Sequence, residues 1–187
     1  KATFHLGEEV VELQPVEGGF KVRTAPGKEF QARTIFVAGG VGSFQPRKLH
    51  LDGADRLEDR FIHYRVQDPA IFKGRRVAIL GGGDSALDWA LALGPEAAAL
   101  TLVHRRDDYR AAPASVAQLK ARAAAGAVEI IESANATALR LEGDRLTGLG
   151  LGLKDGRSRV LDVDHLRGFF GLSPKLGPIA DWGLTLH

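Results

Sequence analysis

Apolar and polar positions change period along this chain, and the changes mark its elements. Val77-Ala78-Ile79-Leu80 is a short unbroken apolar run, the pattern of a strand covered on both faces. Behind Gly81-Gly82-Gly83 the period lengthens. Leu87, Ala90 and Leu91, with Trp89 beside them, repeat at helical spacing. Gly94-Pro95 stops that helix. Leu100-Thr101-Leu102-Val103 is a second apolar run, and it ends in His104-Arg105-Arg106. Pro113 opens another helix that reaches about Ala125 and stops at Gly126. Val128-Glu129-Ile130-Ile131 reads as a further strand.

Outside this block the period is two. Val10 to Leu13 and Phe20 to Arg23 flank Glu17-Gly18-Gly19, a hairpin signal, and Pro26-Gly27 marks the next turn. Thr34-Ile35-Phe36-Val37-Ala38 reads as a buried-type strand. It runs into Gly39-Gly40-Val41-Gly42, with Pro46 soon after. Residues 47–75 are mixed and polar, and an irregular connector is expected there. From Thr137 the pattern predicts a β-meander. Its strands are Leu146–Leu153 and Val160–Val163; its turns are Glu142-Gly143-Asp144 and Lys154-Asp155-Gly156. Gly168 to His187 is rich in glycine, proline and apolar residues. The expected division is 1–46, 47–167 and 168–187.

Composition narrows the class. The 187 residues are 44% hydrophobic and 26% charged, ordinary for a globular chain able to bury a core. No apolar run approaches the roughly 18 residues of a membrane span, and the first residues carry no secretory pattern. Neither a membrane nor an export route is expected, and a cytoplasmic location is taken by default. The chain has no cysteine, so disulfides, thiolate metal sites and thiol redox chemistry are excluded within it. Net charge is +2, from 25 basic and 23 acidic residues. The arginines cluster after one strand without interleaved aromatics, so nucleic acid is not an expected partner.

The glycine turn carries the chemistry. Gly81-Gly82-Gly83-Asp84-Ser85-Ala86 sits between a strand and a helix, the context that gives such a motif meaning. One glycine allows a tight turn, and the next lets backbone approach a pyrophosphate at the helix N-terminus. Ala86, in place of the commoner glycine, is still small enough for close helix–strand packing. The expected fold class is therefore α/β, a three-layer Rossmann-like nucleotide-binding unit with the β-meander attached. The second strand points to the cofactor. An acidic residue near its end would bind a ribose 2′-hydroxyl, whereas arginine accommodates a 2′-phosphate. Here His104, Arg105 and Arg106 stand there and Arg110 follows, so NADPH is expected rather than NADH. Asp107 and Asp108 leave a plain surface ion-pair cluster as the alternative.

With His104-Arg105-Arg106-Asp107-Asp108-Tyr109-Arg110, the glycine motif resembles the NADPH domain of the thioredoxin-reductase-like flavoproteins. The resemblance covers essentially the whole chain. It implies an NADPH domain inserted into an FAD domain, with the outer segments as partial FAD-domain pieces. Ala38-Gly39-Gly40 resembles the loop near FAD where the chain crosses between domains. Gly171-Leu172-Ser173-Pro174 resembles the return crossing near the nucleotide. Thioredoxin reductases carry a CxxC before the glycine strand; His63-Tyr64-Arg65-Val66 stands there instead. The nearer resemblance is to the ferredoxin–NADP⁺ reductase branch, also at Lys175 to Leu184. It implies FAD, a ferredoxin or flavodoxin as electron carrier, and a homodimer. The family's FAD glycine motif is absent, and Lys1 is not an initiator methionine. The expectation is a piece of a larger protein that binds NADPH but neither holds FAD nor turns over alone.

Three other readings remain open at this point. One is a thioredoxin-reductase-like protein without its cysteine pair, and another a module that senses NADPH without catalysis. The third is an ester hydrolase of the Gly-Asp-Ser type, with Ser85 as nucleophile, His165 as base and Asp162 orienting it. Asp84 either influences the nicotinamide end or favours the helix N-terminus by charge. His5, His50, His63 and His187 read as surface or packing residues without ligand spacing.

Overall fold

The computed structural model describes residues 2–39, 43–175 and 177–185. They form two compact units: 1–45 with 172–187, and 46–171. In the first unit, β1 (Val10–Val16), β2 (Gly19–Thr24) and β3 (Glu29–Ala32) make an antiparallel meander. Gly18, at φ 76°, makes the tight turn that joins Val16 to Gly19. Thr34–Ala38 is not a strand. A buried strand of this type needs sheet on both sides; none pairs with it among the described residues, and Phe36 is 90% exposed. Further on, β4 (Ser43–Pro46) pairs with a late strand described below.

The second unit is a three-layer α/β structure. Its elements are α1 (Ala54–Leu57), β5 (Ile62–His63), β6 (Arg76–Leu80), α2 (Asp84–Leu93), β7 (Ala99–Val103), α3 (Pro113–Ala124) and β8 (Glu129–Ile131). After them come β9 (Ala134–Glu142), β10 (Arg145–Leu153), β11 (Ser158–Asp162) and β12 (His165–Gly168). A parallel sheet in the order β5-β12-β6-β7-β8 forms the middle layer. The apolar run of β6 divides by alternation. Val77 and Ile79 pack with Leu87, Ala90, Leu93 and Leu119 of the helices. Ala78 and Leu80 face the other way, toward Leu146, Leu149 and Leu151 of the β11-β10-β9 meander. That is why the run is unbroken: both faces of the strand are covered. Leu146, Leu149 and Leu151 are fully buried, each contributing about 1.5–3 kcal/mol of burial. No helix among the described residues is long and apolar enough to cross a membrane.

One expectation changes here, and one strand appears that the sequence did not announce. Residues 47–75 are not merely a connector: Leu57, Ile62 and Phe72 are buried, and β5 joins the sheet. Single apolar residues in a polar stretch have no period, so only their packing reveals them. The unannounced strand is β12. It comes last in sequence yet lies beside β6, on the side away from β7. The strand order therefore reverses at β6, which makes a crevice at the carboxyl end of that strand. Beyond β12, the strand β13 (Leu172–Lys175) pairs with β4. The Arg47 N–H donates to the Gly171 carbonyl at 3.0 Å.

Candidate functional site

The crevice at the reversal is floored by the glycine turn. Gly81 has φ 151°, a backbone conformation that L side chains rarely adopt. A Cβ there would come 2.8 Å from the Phe169 carbonyl oxygen and 2.9 Å from its Cβ. That same Cβ would lie 3.3 Å from the Ala86 methyl, so Ala86 is the close packing point expected of the sixth motif position. The site of a Gly82 Cβ is filled by the His104 ring, 2.4 Å away. Gly83 is the most open of the three: its Cβ would meet only the Arg110 carbonyl oxygen, at 3.6 Å.

Helix α2 starts at this turn without a capping side chain. Its first intrahelical bonds are those of the Ala86 and Leu87 N–H groups to the Gly83 carbonyl. Before them, the Asp84 N–H faces the Arg110 carbonyl across the Gly83–Arg110 bridge. The Ser85 N–H has no partner among the described residues, so it is available to an anion in the favourable field of the helix dipole. Ser85 sits exposed in this first turn. Asp84 does not cap its own helix. Its Oδ1 accepts the Ala112 N–H at 2.7 Å and ties the turn to the loop after β7.

That loop is built around His104. Its Nε2 donates to the Asp108 carbonyl at 2.9 Å, which places a proton on Nε2 because a carbonyl can only accept. The ring stacks on Tyr109 at 5.4 Å between centroids. The Tyr109 hydroxyl donates to Glu132 at 2.8 Å; burial first, and this bond next, push the phenol pKa up. The Arg110 N–H closes the loop on the Gly82 carbonyl at 2.8 Å. Arg105, Arg106 and Arg110 are exposed, and none of their guanidiniums makes an ion pair among the described residues. The Asp107–Asp108 ion-pair cluster therefore does not form.

Other sites named from the sequence fall elsewhere. Ala38 and Gly39 belong to the 1–45 unit, and Gly40 lies outside the described residues. Gly171 ends the second unit at φ 85°. The hydrolase constellation is not assembled. His165 pairs with Val77 at the start of β6, whereas Ser85 follows its far end, so about 10 Å of strand separates the two levels. Asp162 binds Arg140, and His165 Nδ1 meets His63 Nε2 at 3.1 Å. His63 is a buried packing residue.

Sequence reasoning quoted Tyr109 only as part of the arginine motif and passed over Glu132 and Phe169; the three hold the loop and the turn. For Phe169 the local signal was the Phe169-Phe170 pair before Gly171. It also passed over Arg167. That side chain is 5% exposed, lies 4.8 Å from the Trp89 ring centroid and 4.4 Å from that of Phe169, and donates to the His63 carbonyl at 3.0 Å.

A parallel sheet with a strand-order reversal, a glycine turn and an uncapped helix start define a dinucleotide-binding α/β unit. A family model described as pyridine nucleotide-disulphide oxidoreductase matches residues 1–150, and the chain belongs to that family. A ferredoxin--NADP reductase of Methylibium petroleiphilum is 48% identical over 195 residues, covering 100% of this chain and 52% of the relative. One of Albidiferax ferrireducens is 49% identical over 192 residues, covering 100% and 54%. The chain thus spans about half the length of these curated relatives. Among solved structures, T. acidophilum thioredoxin reductase matches with a TM-score of 0.81 at 23% identity, covering 97% of this chain and 58% of that one. At that identity the likeness shows the fold. Lactococcus lactis thioredoxin reductase matches with a TM-score of 0.78 at 25% identity, covering 95% and 57%.

Proposed function

We propose that this chain is the NADPH-binding portion of an FAD-dependent oxidoreductase, a ferredoxin– or flavodoxin–NADP⁺ reductase. The observation that carries the reading is the set of guanidiniums unpaired among the described residues, Arg105, Arg106 and Arg110, on a loop hydrogen-bonded to the glycine turn. Guanidiniums of this kind suit a ribose 2′-phosphate. The uncapped start of α2, with the Ser85 N–H unpartnered among the described residues, suits a pyrophosphate, and Gly83 leaves room for its approach. The described residues therefore fit the nucleotide.

Each residue then has a task. Gly81 and Ala86 bring turn and helix close together, and Asp84 and His104 hold the arginine loop against the turn. When bound, NADPH supplies a hydride and FAD exchanges that electron pair for single electrons. The proposal assigns 47–167, with the end of β12 and the residues up to Gly171 in the same unit, to NADPH, and 1–46 with 172–187 to the FAD side. Ala38, Gly39, Gly40 and Gly171 then belong to the crossings near the cofactors. The reductase names of relatives 48–49% identical along the whole chain support a ferredoxin-type carrier. The lack of cysteine in this stretch favours such a carrier over a disulfide relay. A cytoplasmic homodimer completes the proposal.

The test is flavin reduction of the whole protein, followed by stopped flow with NADPH and with NADH. NADPH is expected to be preferred. Arg105→Ala should lower kcat/KM for NADPH by roughly tenfold or more, the effect of losing a charge-assisted hydrogen bond, and leave NADH unchanged. Equal rates with both nicotinamides, or a preference untouched by Arg105→Ala, would refute the reading.

A further inference from the structure

The end of the parallel sheet opposite the glycine turn holds a second concave site. There β6 and β12 begin, and a cavity of about 360 Å³ is lined by Phe61, Arg75, Arg145, Asp164 and His165. All five residues lie in the 46–171 unit.

Its charge is unbalanced. Asp164 is the carboxylate of the lining, and its acceptor capacity is already used. Oδ2 accepts the Arg76 backbone N–H at 2.9 Å and Arg76 Nε at 3.2 Å. Oδ1 accepts Arg76 Nη2 at 2.8 Å and, at a long 3.4 Å, Arg145 Nη2. Arg76 thus neutralises Asp164 and holds its carboxyl well below the usual range. Asp162, which also acts on Arg76, is bound by Arg140. Arg145 keeps only its long contact, and Arg75 has no ion pair among the described residues. Arg60 adds another cation, 5.4 Å from the centroid of the Phe61 ring.

His165 completes the lining. His63 engages its Nδ1, and Nε2 has no hydrogen-bond partner among the described residues. Burial lowers the pKa of His165, and Arg75 and Arg145 lower it further against the opposing pull of Asp164. A concave site with two under-neutralised guanidiniums, an aromatic wall and an imidazole has the chemistry of an oxyanion receptor.

We infer that this cavity binds a small polyvalent oxyanion, a phosphate ester or a di- or tricarboxylate, through Arg75 and Arg145. Phe61 packs against its apolar part. In sheets of this kind the nucleotide crevice lies at the carboxyl ends of the strands. An anion at the opposite end leaves that crevice free and acts as a second ligand. The inference does not depend on which nicotinamide, if any, the glycine turn holds.

Calorimetric titration with pyrophosphate and with citrate tests it, on the whole protein carrying Arg105→Ala and Arg106→Ala to weaken the other candidate phosphate site; the binding assigned to this cavity is the part that Arg75→Ala removes. Arg75-dependent binding of at least one anion is expected, and which one shows it tells phosphate from carboxylate. Adding Arg75→Ala should weaken that binding by roughly tenfold or more, and Arg75→Lys should restore part of it. The ring resonances of His165 should move on binding, with its titration displaced toward higher pH. Binding of neither anion would overturn the inference, as would an Arg75→Ala variant that binds as tightly as its parent. An acidic carrier protein that needs Arg75 while neither small anion binds would also overturn it, in favour of a protein dock.

Discussion

Replacing Gly82 by alanine tests how the arginine loop is held. The new methyl would lie 2.4 Å from the His104 ring, a distance at which one group must move. Backbone movement at Gly82 is opposed by its carbonyl, which accepts the Arg110 N–H. The ring is the softer partner, and displacing it breaks the 2.9 Å bond to the Asp108 carbonyl and the stack on Tyr109. A hydrogen bond of this kind is worth about 1 kcal/mol and an aromatic stack about 0.5–1.5 kcal/mol. The expected cost is therefore about 2 kcal/mol, or a Tm lower by about 4–8 °C for a chain of this size. Thermal unfolding read by circular dichroism measures it. The decisive comparison is a double-mutant cycle with His104→Ala. Removing the ring costs the same two contacts but makes room for the methyl. Gly82→Ala should then cost almost nothing further in the His104→Ala background. An equal penalty for Gly82→Ala in both backgrounds would refute the steric coupling.

Two further outcomes follow from the same structure. Burial, then His165 and Arg167, lower the His63 pKa from 6.5 to about 4. The unfolded chain therefore binds more protons between those values, so stability is full above about pH 6.5 and falls as the pH drops toward 4. At most about 3 kcal/mol is lost from this group. His63→Gln should flatten the dependence in denaturant titrations across that window, and an unchanged slope would count against it. Leu149 is fully buried between the parallel sheet and the meander, so Leu149→Ala should cost about 2–5 kcal/mol. A loss below about 1 kcal/mol in urea unfolding would show that the meander does not cover the sheet as described.

Elements with several periodic residues were legible in the sequence. The strand at Val77–Leu80, the helix behind it, the strand at Leu100–Val103 and the helix opened by Pro113 all stand where their periods place them. In β12, Leu166 is the single aliphatic residue among His165, Arg167 and Gly168, so no apolar alternation announces a central strand. Its polar side chains are accommodated by what surrounds them: Phe72 packs on both His63 and His165, and Trp89 and Phe169 cover Arg167. Thr34–Ala38 errs in the opposite direction, with the composition of a buried strand but no strand beside it among the described residues. In the candidate site, the glycines and arginines were visible as residue types. The Tyr109–Glu132 and Asp84–Ala112 bonds join residues 23 and 28 positions apart, beyond any local pattern.

The sequence by itself determined what depends on near neighbours. It specified the turn at Gly81, the helix start at Asp84, the small residue at Ala86 and the run of cations after the second strand. Only the tertiary structure decided how distant residues meet. Register in the parallel sheet put Ser85 and His165 at opposite ends of the strands and dissolved the hydrolase constellation. The return of β12 beside β6 created the crevice. The fold of the loop after β7 left Arg105, Arg106 and Arg110 without an ion pair among the described residues although Asp107 and Asp108 stand next to them in the chain. Adjacency along a chain sets local geometry. Whether two charges pair, or two catalytic groups meet, is set by strand register and by loops anchored elsewhere.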